Sequence, residues 1–237
     1  MNRPTGRPHR TLIVSFSGVD GAGKSTQISA LRRQIELSNI RVWVRSFWND
    51  VSRLKSLRES SSHKLFKGDR GVGSPERPLH RRDKNIRTWY LTLFRLFVYF
   101  LDTVSLQIVV SRLRQSDVGF IIFDRYLYDE LANLPLNNGL IRTYLRGLLK
   151  LAPKPDVAFL LDADPVAACN RKPEYPIEFV HTNRAAYLSL VQIVQGLTVI
   201  EPLPPRDVEI HVMREIAMAL QGAEFQGHVE TAASVSK

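Results

Sequence analysis

Apolar residues recur along this chain in two kinds of block. "TLIVSFSG" (11–18), "VGFIIFDRY" (118–126) and "VAFLLDAD" (157–164) are short continuous runs that lead into glycine or aspartate. Runs apolar on both faces are those of central strands in a parallel sheet. "RVWVRSFW" (41–48) alternates like a strand, and "LTVIE" (197–201) reads as a short last strand. Between these runs the apolar positions take helical spacing: Ile28, Leu31, Ile35 and Leu37 within 24–38, then 86–115, 140–151, 177–195 and 206–220. Asp164 before Pro165 predicts a capped helix start. Strands alternating with helices predict an α/β fold, a doubly wound parallel five-stranded sheet with helices on both faces, with ligands at the carboxyl ends of the strands. No internal repeat interrupts the pattern, so one domain over 11–220 is expected. A basic tail (1–10) precedes it, and a polar tail (221–237), expected to be disordered, follows. Gly68, Gly71, Gly73, Pro75 and Pro78 mark 59–85 as an inserted loop.

Composition changes this picture in three places. Cys169 is the single cysteine, which excludes an internal disulfide and points to a reducing compartment, hence the cytoplasm. "MNRPTGRPHR" runs into a strand rather than into the apolar centre of a signal peptide. "WYLTLFRLFVYFL" (89–101) contains Arg95 and is too short to span a bilayer, so a buried helix is expected there. The net charge of +10 is local. Residues 1–10 hold three arginines and no acid, residues 53–87 hold 11 Lys/Arg against 4 Asp/Glu, and the rest is balanced. Such a loop attracts anionic partners, whether phosphorylated substrates, nucleic acid or acidic lipid, though a solvated face accounts for it as well. No nucleic-acid-binding signature accompanies it.

The candidate chemistry starts at "GVDGAGKST" (18–26), where Gly18, Gly23, Lys24 and Ser25 satisfy G-x-x-x-x-G-K-[ST]. A random chain of this length meets that pattern about 1% of the time at average residue frequencies. Here it also lies between a strand and a helix, the context that gives the motif its meaning. Glycines let successive N–H groups turn toward phosphate oxygens, and the helix start adds its positive dipole end. Gly18, Asp20, Gly21, Ala22, Gly23, Lys24, Ser25 and Thr26 are therefore the expected ATP-binding residues. Lys24 places a cation on the β/γ-phosphates, and the Ser25 hydroxyl ligates Mg²⁺.

About a hundred residues on, Asp124 and Arg125 end a strand that a parallel sheet sets beside this loop. A carboxylate there holds Mg²⁺ or orients an acceptor, and the arginine clamps a transferring phosphoryl group. An ordinary strand-end ion pair is the plainer alternative. Arg171 and Lys172, after the strand ending at Asp162, stand where a closing lid brings a cation. For these two, a basic helix end interacting with the dipole is the competing explanation.

"GVDGAGKST", "DRY", "PDVAFLLDADP" and "FVHTNRAAYLSL" occur in an order and spacing that resemble the thymidylate kinases, P-loop enzymes that phosphorylate dTMP. The resemblance covers roughly residues 11–200 and weakens across 49–87. It implies a three-layer P-loop NTPase fold, ATP as donor, Mg²⁺ as cofactor, nucleotide substrates and a homodimer paired through helices. It also implies that Asp20 contacts the acceptor sugar, that Arg125 bridges the two phosphates and that Arg171 belongs to the lid. By an ungapped count from Asp124, the aromatic that stacks on the acceptor base falls at Tyr99, and the base-reading arginine falls on Thr103. The family's arginine-bearing turn after the second strand is replaced by "FWNDVSRLKSLR", where Arg53 or Arg58 would substitute. Altered polar contacts to a base can change specificity by large factors. Three readings follow: phosphoryl transfer to a nucleoside monophosphate, dTMP first; a P-loop kinase of another small acceptor such as a nucleoside or sugar-containing metabolite; and a nucleotide-binding regulator without turnover.

Overall fold

β1 (Leu12–Ser17) is buried at every position and pairs in parallel along both edges, with β3 (Phe120–Asp124) and β4 (Val157–Leu161). β2 (Val42–Ser46) joins β3, and β5 (Leu197–Ile200) joins β4, giving a parallel sheet of five strands in the order β2-β3-β1-β4-β5. The computed structural model describes residues 11–47, 89–116 and 118–235. The tail 1–10, Arg53, Arg58 and the basic loop 59–85 lie outside the described residues.

Alternation along each central strand sends side chains to two layers. Ile13, Ile121, Phe123, Ala158 and Leu160 face one core, and Leu12, Val14, Phe16, Phe120, Ile122, Val157, Phe159 and Leu161 face the other. The second core is closed by α1 (Lys24–Leu37), through Ile28, Leu31 and Ile35, and by α7 (Pro205–Val235), through Val208, Val212 and Ile216. The first is closed by α2 (Trp89–Arg114), α3 (Leu127–Leu131), α4 (Gly139–Leu151) and α6 (Ile177–Leu190), through Leu106, Val110, Leu127, Leu131, Leu145, Val180 and Leu190. The short helix α5 (Pro165–Arg171) follows β4, and Asp164 caps it by accepting the Ala167 N–H at 2.9 Å. This is the three-layer α/β arrangement that the strand and helix pattern predicts.

Two elements differ from the sequence expectation. Helix α7 continues to Val235, where the expectation ended at residue 220 and left 221–237 disordered. Each glycine in a helix costs only about 1 kcal/mol, so Gly222 and Gly227 do not stop the helix, and the alanines around and beyond them favour continuation. Helix α2 lies within the expected 86–115, but its apolar stretch is longer than the 13-residue run 89–101. Its segment Thr92–Arg114 has a mean hydropathy of 1.7 and by length and composition alone is enough to cross a membrane. Its inner face is nonetheless occupied: Val98, Tyr99, Leu106, Val110 and Leu113 are buried in the core beside β3. Leu93, Phe94, Phe97 and Phe100 remain exposed on it, Phe97 at 59%.

Candidate active site

At the carboxyl end of β1 the chain turns through Gly18, whose φ of +139° is open to glycine alone. A Cβ there would run into the Leu161 carbonyl of β4, and one on Gly21 (φ +84°) into the Ala168 carbonyl of α5. The loop is thus pressed against β4 and α5. Helix α1 then starts at Gly23 with no side-chain cap and no acid in its first turn. By contrast α4 is capped by Asn138 and α5 by Asp164. An uncapped, acid-free helix start keeps its N–H groups and dipole for an external anion.

Lys24 opens that helix and is buried. Its Nζ donates to the Gly18 and Val19 carbonyls, each at 2.8 Å. Burial first, then the nearby Arg125 charge, lower its pKa to about 8, against the opposing pull of Asp129, Asp20 and Asp124. A phosphate anion restores the missing counter-charge. Ser25 and Thr26 are exposed beside it.

Register brings the second strand end to the same place: Asp124 pairs with Phe16 of β1, and the Arg125 N–H extends the ladder by donating to the Phe16 carbonyl at 2.9 Å. Arg125 takes the left-handed conformation, φ +66°, unusual for a side-chain-bearing residue and costing roughly 1–2 kcal/mol. The kink turns its guanidinium to the loop, where Nη2 donates to Asp20 Oδ1 and Nη1 to Asp129 Oδ1 at 3.4 Å. Burial works against its charge, but Asp129, Tyr187, Asp20 and Asp124 together hold it above the ordinary arginine value. Lys172 Nζ lies 3.7 Å from the same Asp20 oxygen and 3.3 Å from Glu174. Asp20 therefore sits between two cations that a pair of phosphates would take over.

The structure brings together Gly18, Asp20, Lys24, Asp124 and Arg125, as the sequence predicts, but it treats the lid differently. The sequence selects Arg171; its Nε donates back to the Ala167 carbonyl of its own helix at 3.1 Å, and the side chain is exposed. Lys172 breaks helical geometry (φ −146°, ψ 81°) and is the cation of this segment that reaches Asp20. Tyr99 is buried in the core that also contains Tyr126 and Leu127, and Thr103 is fully buried with its hydroxyl donating to the Tyr99 carbonyl at 2.7 Å. An arginine at 103 would overpack that layer, so the position is not simply an emptied arginine site.

Sequence reasoning missed the groups that support Arg125. Asp129, the fourth residue after it, lies on α3, a helix too short to show periodicity. Tyr187 and Arg184 both stand in "FVHTNRAAYLSL": Tyr187 donates to Asp129 at 2.7 Å, and Arg184 grips both Asp162 oxygens at 2.6 Å. The i,i+4 spacing of Arg125 and Asp129 was the one local signal available.

For Mg²⁺, the exposed Ser25 hydroxyl and the partly exposed Asp124 carboxylate offer hard oxygen donors. Two protein oxygens are what this ion takes when water and phosphate fill its other positions. The donor set fits.

The sequence matches no protein-family model. It is 23% identical over 204 residues to "Probable thymidylate kinase" of Methanosphaera stadtmanae, covering 83% of this chain and 92% of that protein. It is 28% identical over 163 residues to "Thymidylate kinase" of Bifidobacterium longum, covering 68% and 70%. The solved structure of thymidylate kinase from Candida albicans superposes with a TM-score of 0.58 at 16% identity, covering 88% of this chain and 92% of that one. The chain is similar to thymidylate kinases, and its fold is that of the Candida albicans enzyme.

Proposed function

We propose that this thymidylate-kinase-like chain transfers the γ-phosphoryl group of ATP to the phosphate of a nucleoside monophosphate, with dTMP as the acceptor. The observation that supports this reading most is the meeting of three cations, Lys24, Arg125 and Lys172, around Asp20 in the uncapped glycine loop. A nucleotide-binding regulator needs only the loop. A second, buried cation on the far side of Asp20 has its use when two phosphates meet.

The loop N–H groups and Lys24 hold the donor phosphates, and the reacting groups are brought into line by positioning rather than by proton transfer. The acceptor phosphate is already ionised at neutral pH, so no general base is required. As phosphates enter, Arg125 exchanges its Asp20 partner for the transferring group and spreads charge away from it. Lys172, on the flexible stem of a lysine, follows from the lid. Ser25 and Asp124 would hold Mg²⁺, which when bound neutralises the β- and γ-phosphate oxygens. The cytoplasm, where ATP and reduced thiols coexist, is the setting that the single Cys169 favours.

A coupled assay of ADP release from ATP–Mg²⁺ across nucleoside monophosphates, nucleosides and phosphorylated sugars tests the reading. Release stimulated by dTMP and dUMP is expected. Stimulation only by unphosphorylated acceptors would overturn it in favour of another small-molecule kinase, a reading kept open by the buried Thr103.

A homodimer is part of the proposal. The exposed Leu93, Phe94, Phe97 and Phe100 of α2 form the apolar face that a second copy would cover. Light scattering is expected to return twice the 27.0 kDa chain mass, and Phe97→Asp to shift it to the single mass. A monomer at all concentrations in the wild type would contradict this.

A further inference from the structure

We infer that Asp129, a carboxylate outside the reacting centre, is the positioning residue that holds the Arg125 guanidinium at the phosphate site. Its side chain is completely buried, and it gathers four donors from three parts of the fold. Ser17 Oγ, the last residue of β1 before the glycine loop, donates to Oδ2 at 2.7 Å, and the Tyr126 N–H donates to the same oxygen at 2.9 Å. Tyr187 on α6 donates to Oδ1 at 2.7 Å, and Arg125 Nη1 at 3.4 Å. A buried carboxylate with so complete a set of donors is held fixed in place. When phosphates displace the guanidinium from Asp20, the Asp129 carboxylate still holds it at the site. Asp20 is the partner given up on binding, and Asp129 is the partner retained.

The two oxygens are not equivalent, which makes Asp129→Asn a selective test. The Tyr126 N–H is a backbone donor that cannot turn, so the amide oxygen of the variant stays on the Ser17 and Tyr126 side. The amide NH₂ then faces Tyr187 and Arg125. A tyrosine hydroxyl can rotate to accept from it, whereas a guanidinium can only donate and is repelled. The variant keeps the start of α3 and loses the hold on Arg125. Tyr187→Phe is the complementary control, because it removes a donor from the same oxygen and leaves the charge.

The kinetic consequence rests on the monophosphate-kinase reading, and the test has one arm that does not. In kinetics, Asp129→Asn is expected to lower kcat about 30-fold, the range of a lost hydrogen bond to a charged group, with the KM for ATP nearly unchanged. In an Arg125→Met background the same substitution is expected to change kcat by less than about twofold, because the effect travels through Arg125. An equal loss in both backgrounds would overturn the inference. Independently of turnover, ¹⁵N NMR of the guanidinium in an Asp20→Ala background, which removes the other carboxylate, is expected to show separate, slowly rotating Arg125 Nη signals that persist with Tyr187→Phe and merge with Asp129→Asn. Freely averaged Nη signals in Asp20→Ala alone, or unchanged ones on adding Asp129→Asn, would refute the positioning role. A wild type inactive with every acceptor would refute the kinase reading and leave the NMR result to decide the role of Asp129.

Discussion

Arg125→Met is expected to lower kcat about 10³-fold, the lower end of what a phosphate-clamping arginine contributes in phosphoryl transfer. The argument is electrostatic and geometric together. The guanidinium is mostly buried, paired with Asp20 and Asp129, and kept charged at any working pH. It reaches the loop because Arg125 leaves β3 in the left-handed region, so the backbone there is set for the side chain. Methionine keeps the unbranched apolar stem without the charge or donors, which removes stabilisation in the transition state while leaving the Lys24 loop intact. Steady-state kinetics should therefore show a collapse of kcat with little change in ATP binding. A loss smaller than about tenfold would place the phosphoryl clamp elsewhere, with Lys172 the next residue to test.

Lys24→Met is expected to cost about 10²–10³-fold in kcat/KM for ATP, the price of one pre-organised charge at the phosphates. The wild type carries a further signature. With its pKa lowered to about 8, Lys24 begins to lose its proton as pH rises through that value, so ATP affinity should weaken above it. Bound phosphate favours the charged form, so ATP binding near pH 8.5 should take up a proton, seen by calorimetry in buffers of different ionisation heat. The stability effect has the opposite sign. Between about 8 and the ordinary 10.5 the unfolded chain binds a proton at this lysine that the folded chain does not, so stability rises with pH across that window. Lys24→Met should remove both the proton uptake and its share of the slope. Uptake that persists in the variant would assign it to another group.

The donor half of the site is legible in sequence because it is local. Gly18 to Thr26 are contiguous, and β1 and β3 are apolar on both faces, which can mean only central strands with their ends together. Asp124 and Arg125 could be placed beside the loop from that fact alone. The supporting half is not local. Asp129 meets Ser17 across 112 residues and Tyr187 across 58, and no periodicity encodes such contacts. Choosing between Arg171 and Lys172 turned on a one-residue matter, the point where α5 stops, and boundaries of that kind depend on capping and packing. The C-terminal helix extends past the expected residue 220 because a polar composition does not exclude a helix, and Gly222 and Gly227 are only modest penalties in it. Counting along α2 set the expected acceptor contacts at Tyr99 and Thr103, and a count of that kind could not reveal that both are buried.

The central claim is that a phosphoryl group passes from ATP to an acceptor phosphate at the Lys24–Arg125 site. ³¹P NMR of the purified chain with ATP, Mg²⁺ and dTMP observes that event directly. The account predicts that the dTMP resonance gives way to the paired α- and β-phosphate resonances of dTDP as ATP is converted to ADP, and that Arg125→Met prevents it. An unchanged dTMP resonance, or inorganic phosphate as the only product, would contradict it.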